Sequence, residues 1–200
     1  MNFTEPSGHS PVLIAESRTD LLGQIPDWMP VVPDRSRLDG KRTHEQRERW
    51  ALGRLLSDSP DLWPFPVRIY HPDAPDFIAV GGDRLFGLEI SDICDAGEQA
   101  RWTEETRQDA GEVVVRDLDD APDTEKIAAM AQMTGDAIRR KSQKPYASWC
   151  DLALYLNTTS ALFLTGGQLR EACCNGLASA GPTPFQRIWV VKDQSILRIR

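Results

Sequence analysis

One stretch of this 200-residue chain decides its fold: PDFIAVGGDRLFGLEIS, which runs from Pro75 to Ser91. Two apolar runs with alternating side chains flank the short segment Gly81–Arg84. Alternation with a period of two is the pattern of a β-strand, and a two-residue loop with Gly at its first position is typical of a type II′ turn. The stretch therefore predicts a β-hairpin with Gly82 and Asp83 at its tip.

The register of this hairpin brings two carboxylates together. Counting outwards from a tip at Gly82 and Asp83 places Asp76 directly opposite Glu89. Directly opposed residues point to the same face of the sheet, with Cβ atoms about 4.5–5.5 Å apart. A longer loop would change the register and separate the two side chains.

The opposed carboxylates predict a metal site. Two ionised carboxylates on a largely apolar face repel each other, and burial adds a desolvation cost. A shared proton, a basic side chain or a divalent cation would offset that cost, and carboxylate oxygens suit Mg²⁺ or Mn²⁺. Asp76 and Glu89 are therefore candidate metal ligands. The alternative is a pair at the end of the sheet that reaches water and holds no metal.

The rest of the chain predicts strands and helices around the hairpin, in an α/β fold with a mixed β-sheet flanked by helices. Thr43 is a candidate N-cap for a helix with an apolar stripe, and a long helix over Asp123–Lys144 has acidic residues in its first turn and basic residues in its last. The other predicted elements are strands at Val67–Tyr70, Val113–Val115, Trp149–Leu156, Phe185–Lys192 and Ile196–Arg200, a helix at Gly167–Ala178, and an exposed helix or mobile insertion at 97–109.

The first 42 residues differ from the rest. Five prolines lie between Pro6 and Pro33, a spacing that argues against long regular elements. Apolar groups such as Leu21 and Leu22 would have little use in a disordered tail. We therefore predict a proline-rich arm over residues 1–42 that packs on a single α/β domain over residues 43–200.

Composition limits the class of protein. The net charge is -7, which argues against a broad phosphate-binding face, although basic residues cluster near Arg47 and between Arg139 and Lys144. The four cysteines form no C-x-x-C pair, and the three histidines are scattered, so neither a zinc site nor a catalytic histidine is predicted. Reduced core thiols are favoured over disulfides, which predicts a cytoplasmic protein. No signal peptide and no apolar run of membrane length is evident, so the protein is not expected to enter membranes.

The hairpin and the helix before it resemble the PD-(D/E)XK nuclease superfamily, which has the restriction-endonuclease-like fold. Its motif is a Pro-Asp on one hairpin strand and a Glu-x-Lys on the next, preceded by a helix that bears a Glu. Pro75-Asp76 matches the first part and Glu89-Ile90-Ser91 occupies the second, with Ser91 in the place of the lysine. The resemblance covers roughly residues 43–157, and it implies a metal held by Asp76, Glu89 and the backbone carbonyl of Ile90.

Two further site residues follow from the resemblance. Some members supply the lysine from a neighbouring helix, and Lys141, which continues the apolar stripe of the long helix, is our candidate, with Lys144 as second choice. An ordinary helix-terminal charge is the alternative for Lys141. Glu48 is preferred to Glu45 as a third carboxylate because it lies one turn before Leu52, although surface ion pairs with nearby arginines would also explain it.

The sequence thus favours a metal-dependent nuclease in which Asp76, Glu89, Lys141 and Glu48 carry the chemistry with Mg²⁺ or Mn²⁺. The rival interpretation is a catalytically inactive nuclease-fold module for binding or regulation, which the loss of the lysine at Ser91 and the acidic net charge both favour. A third is an α/β protein in which the carboxylate pair has no function. Nucleic acid is the expected partner, and the oligomeric state, a homodimer included, stays open.

Overall fold

A seven-stranded mixed β-sheet organises the computed structural model of the protein, in which the strands lie side by side in chain order. The strands are β1 (Leu13–Ala15), β2 (Val67–Tyr70), β3 (Phe77–Gly81), β4 (Arg84–Ile93), β5 (Cys150–Leu156), β6 (Ile188–Lys192) and β7 (Ser195–Arg198). The helices are α1 (Arg18–Trp28), α2 (His44–Asp58), α3 (Asp123–Ser142) and α4 (Gly166–Ala180). The structure describes residues 8–29, 44–59, 62–82, 84–95, 97, 100, 122–156, 158, 161, 163–192 and 195–200.

The predicted hairpin is confirmed in its register. Phe77 pairs with Leu88, and Gly81 pairs with Arg84 across the turn. Gly82 has a φ of +57°, which is the left-handed region that the first central position of such a turn requires. Asp83, the other predicted tip residue, lies outside the described residues.

The pairing pattern makes the sheet mixed, as predicted. Strands β1 to β4 pair antiparallel, β5 lies parallel to both β4 and β6, and β7 returns antiparallel to β6. The two parallel connections run through α3 and through α4. All seven residues of β5 are buried, because a central strand in a covered sheet has no solvent face.

Helices cover both faces of the sheet and form two apolar cores. One core contains Leu21 and Ile25 from α1 and Leu52 and Leu55 from α2, packed on strand residues such as Ile90. The other contains residues of α3 and α4 packed on the opposite faces of β4, β5 and β6. The class is therefore α/β with an open mixed sheet between two helical layers, and the side chains of β4 are divided between the two cores.

The N-terminal region is more regular than the prolines predicted. Strand β1 pairs with β2 at the edge of the sheet, and α1 is an 11-residue helix. The Ser17 side chain caps α1 by accepting a hydrogen bond from the backbone N–H of Asp20, and Pro26 lies in the last turn, where its missing N–H removes only one hydrogen bond. Leu13, Leu21 and Ile25 of this segment belong to the first core, whereas Ile14 and Leu22 are exposed.

The long helix has the predicted stripe and a close neighbour. Met130, Thr134 and Ile138 are buried along α3, and the last turn carries the predicted basic residues. A Cβ atom on Gly176 of α4 would come within 3.0 Å of the backbone nitrogen of Gly135, so the two helices approach closely because both positions lack a side chain. The two helices therefore pack directly against each other in the second core.

The remaining predictions concern the cysteines, membrane-spanning helices and three short segments. The four cysteines are free thiols, and Cys150 and Cys173 are buried. In the part of the chain that the structure describes, no helix combines the length and apolarity needed to cross a bilayer. The predicted N-cap Thr43 and strand Val113–Val115 lie outside the described residues, as does 97–109 apart from Gly97 and Ala100.

Candidate active site

Asp76 and Glu89 meet at the end of the hairpin, as the sequence predicts. Asp76 is the residue before β3, and its Oδ2 atom accepts a hydrogen bond of 2.6 Å from the backbone N–H of Ile90 on β4. Glu89 is only 2% exposed. The hairpin therefore places both carboxylates beside the start of β3, one anchored to the backbone and the other buried.

The surroundings of Asp76 disfavour its ionised form. Burial, the negative charge of Glu89 and, to a smaller extent, that of Glu48 together raise the pKa of Asp76 to about 6. The hydrogen bond from Ile90 and the positive charge of Lys141 lower this pKa, but they do not compensate. Such an imbalance is the electrostatic condition under which a bound cation would be stabilised.

The basic end of α3 faces this pair. The Lys141 ammonium contacts Glu89 Oε1, and the Lys144 ammonium lies 4.0 Å from the same oxygen. The Lys141 side chain is 14% exposed, against 61% for Lys144. Of the two lysines considered from the sequence, Lys141 is therefore the one that continues the buried stripe into the site.

A guanidinium lies beside the position where the resembling family has its lysine. Arg140 Nη2 donates a hydrogen bond of 3.0 Å to Ser91 Oγ, and Ser91 is 4% exposed. One residue further along β4, Asp92 accepts a hydrogen bond of 2.7 Å from Arg47 Nη1 of α2. Cations from α2 and α3 thus approach consecutive residues of the same strand.

These side chains line a cavity of about 290 Å³ next to the carboxylate pair. Its lining carries four cations and two acids: Arg47, Arg140, Lys141, Lys144, Glu48 and Asp92. Ile90 and Ser91 complete it. In a chain with a net charge of -7, this cavity is a local concentration of positive charge suited to a phosphate group.

Glu48 lies close enough to Asp76 to raise the pKa of that carboxyl, but it has a different immediate partner. It is 6% exposed, and its Oε2 atom lies 3.0 Å from His71 Nε2, within hydrogen-bond distance. The His71 ring packs on Phe77, with 4.6 Å between the ring centroids. The side chain of Glu45, the other acidic candidate on α2, lies outside the described residues.

A second cavity, of about 410 Å³, shares Lys144 with the first. It is largely apolar, and Pro75, Ile78, Tyr146 and Trp149 are among its lining residues. Burial and the neighbouring Glu89 raise the pKa of the Tyr146 hydroxyl, so this phenol is neutral and close to the carboxylate.

The donors available to a metal ion are few. Among the described residues, no group of three or more His, Cys, Asp and Glu side chains converges as a metal site, so Glu48 does not join Asp76 and Glu89 in one three-ligand group. Mg²⁺ is commonly held by only one or two carboxylates, with waters and substrate phosphate as the other ligands. The all-oxygen donors and the raised pKa of Asp76 fit a hard divalent cation.

Sequence reasoning missed three participants in this region: His71, Arg140 and Trp149. The basic cluster at the end of α3 was the signal for Arg140, but nothing in the spacing linked it to Ser91. His71 follows β2 by one residue, and only the sheet order shows that this end of β2 lies beside α2. The sequence predicted Trp149 to be the first residue of a strand, whereas it precedes β5 and lines the second cavity.

Comparison with known proteins gives no match: no family model, no curated protein and no solved structure is detectably similar to this chain. The function has therefore to be inferred from the site itself.

Proposed function

We propose that this protein is a divalent-metal-dependent phosphodiesterase of nuclease type, built on a restriction-endonuclease-like fold. The observation that carries the proposal is the contact between the Lys141 ammonium and Glu89, beside a carboxylate of raised pKa on Asp76. Two acids and one lysine at the end of a hairpin are the components that the PD-(D/E)XK motif combines. Here the lysine comes from α3 in place of the strand position Ser91.

Asp76 and Glu89 would hold the metal ion, with the carbonyl of Ile90 as a further ligand. A bound Mg²⁺ or Mn²⁺ would polarise the scissile phosphate and lower the pKa of an attacking water. The hydrogen bond from the Ile90 N–H fixes the orientation of Asp76, so the carboxylate is positioned before the metal arrives. Glu48 adds negative charge to the site without joining the ligand group.

Lys141 would stabilise the negative charge that develops during phosphodiester cleavage. Its side chain is mostly buried, and a buried cation acts more strongly on nearby charge than a solvated one. Arg140, Arg47 and Lys144 line the adjoining cavity and would bind the phosphate backbone. A small cationic cavity in an acidic protein fits a substrate held at one or a few phosphates rather than across a wide face.

The alternative is a nuclease-like binding module without turnover, and one observation favours it. The direct Lys141–Glu89 ion pair already neutralises one of the two proposed ligands. A buried pair of this kind can be a purely structural feature, and the site would then bind a phosphate-bearing partner through its cations alone. The four free thiols suit a reducing compartment under either alternative, and we propose the cytoplasm.

The decisive experiment incubates the purified protein with single- and double-stranded DNA and RNA in Mn²⁺. The matched variants are Glu89→Gln, which removes a ligand charge, and Asp73→Asn, which removes an exposed carboxylate from the loop just before Asp76. Cleavage by the parent and by Asp73→Asn, but not by Glu89→Gln, is the expected result. Absence of cleavage on every substrate, with phosphate-dependent binding retained, would replace the enzyme by the binding module.

A further inference from the structure

The proposed metal and phosphate binding does not use the apolar residues of the cavity beside the carboxylate pair. It begins at Pro75, the neighbour of Asp76 in the chain, and Ile78 and Trp149 contribute to its lining. Trp149 is partly exposed, and its ring lies over Gly87, where any Cβ atom would overlap it. The ring of Trp149 therefore lies at a defined position in a cavity that also borders the carboxylate pair.

Lys144 joins this cavity to the cationic one, because it lines both. Its ammonium is 4.0 Å from Glu89 Oε1, so the two cavities adjoin at the carboxylate pair. A ligand that spans them would place an anionic group among the cations and an apolar, planar group against Trp149. A nucleotide has this division between phosphate and base.

We propose that the apolar cavity receives one unpaired nucleobase, so that the substrate is single-stranded nucleic acid or a frayed strand end rather than an intact duplex. The inference rests on the proposed function, since it identifies the substrate of the same site. A volume of about 410 Å³ lies within the range of small-molecule sites. A base within a duplex would have to leave its stack to enter, at a cost of a few kcal/mol, whereas a free strand avoids that cost.

Stacking on an aromatic ring explains how such a site would bind without reading sequence. Every base has a π-face, so stacking tolerates all four bases. Hydrogen-bonding side chains are few in this cavity: in the part of the chain that the structure describes, its charged lining residue is Lys144. The proposal therefore predicts binding that depends on the presence of a base and only weakly on its identity.

The test measures equilibrium binding of fluorescent oligonucleotides by anisotropy in EDTA, which prevents cleavage. The probes are a short single strand, the same strand with one abasic position stepped along it, and the corresponding blunt duplex. We expect Trp149→Ala to weaken single-strand binding about tenfold, and we expect the most sensitive abasic position to cause a similar loss. Trp149→Ala should then have little further effect on that abasic probe.

Two further variants keep the result interpretable. Ile78→Trp fills the cavity and should weaken single-strand binding without removing an aromatic ring, whereas Phe163→Ala removes an exposed ring outside the cavity and should not. Equal affinity for duplex and single strand, or no effect of the abasic probe, would overturn the inference. Base-dependent binding without any cleavage in Mn²⁺ would overturn the proposed enzyme and leave the inference standing. Cleavage of duplex that does not depend on an unpaired base would support the enzyme and overturn the inference.

Discussion

The ammonium of Lys141, in the last turn of α3, contacts Oε1 of Glu89, in the middle of β4, although 52 positions separate them in the chain. The contact joins the carboxylates of the hairpin to the cations at the end of α3. The function of this lysine is the most direct test of the proposed chemistry.

Replacing Lys141 with methionine keeps the length of the stem and removes its charge. We expect Mn²⁺-dependent cleavage to fall about 10²- to 10³-fold, as for the loss of one group that stabilises transition-state charge. Lys141→Arg should retain part of the activity, since the charge stays but the geometry differs. Single-turnover rates measure the effect, and full activity of Lys141→Met would show that the lysine has no part in the chemistry.

A lysine placed at position 91, as in the family motif, should restore activity that Lys141→Met loses. Ser91 lines the cationic cavity, so the variant Ser91→Lys can extend an ammonium into that space. Combined with Lys141→Met, it should recover at least about tenfold of the lost rate, because the charge returns from the strand position of the motif. No recovery in a folded double variant would mean that the position of Lys141 on α3 matters beyond its charge.

The raised pKa of Asp76 predicts a pH dependence of stability in the metal-free protein. With a folded-state pKa of about 6 against 3.8 normally, the folded protein binds this proton more tightly than the unfolded chain. Stability should therefore fall as the pH rises from about 4 to about 6 and stay lower above that, by at most about 3 kcal/mol. Asp76→Asn, which keeps an oxygen to accept the Ile90 hydrogen bond, removes this dependence.

Urea titrations of parent and Asp76→Asn at several pH values check this prediction. The difference in unfolding free energy between them should favour the variant increasingly from pH 4 to 7. Asp73→Asn serves as control, because that carboxylate is exposed. A difference that does not change with pH would contradict the raised pKa.

Binding of a divalent cation should reverse this penalty. At a concentration of Mn²⁺ one hundred times its Kd, stabilisation is about 2.7 kcal/mol, which raises the Tm of a chain of this size by roughly 5–10 °C. Asp76→Asn and Glu89→Gln should lose the increase, and below about pH 6 the parent should lose it too. Thermal unfolding with and without EDTA measures it, and an equal increase in Glu89→Gln would place the ion elsewhere.

The cationic cavity predicts the salt dependence of binding. In a Glu89→Gln background, the logarithm of the affinity for a single strand should fall linearly with the logarithm of salt concentration. Removing Arg47 or Arg140 should each reduce that slope by about 0.7, the value for one phosphate contact. Arg170→Gln, which removes an exposed charge on α4, is the control and should leave the slope unchanged. A slope that is also unchanged by the loss of Arg47 and of Arg140 would exclude the cavity as the phosphate site.

The sequence predicted what depends on local structure. The turn at Gly82 fixes the hairpin register, and the register alone brings Asp76 to Glu89. The stripe of α3 likewise predicts that Lys141 points at the sheet. The contacts between Arg140 and Ser91 and between His71 and Glu48 depend on how helices cross the strands, which spacing along the chain does not determine. Helix α1 was not predicted because a proline such as Pro26 argues against a helix in the sequence. In the last turn of α1, however, Pro26 removes only one backbone hydrogen bond.

The strand order has a consequence for how the molecule folds. Strands β3 and β4 pair across a tight turn, so the two carboxylates can come together through a local contact, whereas the parallel pairing of β4 with β5 must close a loop that includes α3. Non-local pairing of this kind is slow because chain entropy is lost before contacts form. The contact between Lys141 and Glu89 also spans 52 positions, so we expect it to form later than the hairpin. In a folding intermediate that contains the hairpin alone, no lysine would neutralise Asp76 and Glu89. The cationic cavity would be complete only in the fully folded protein.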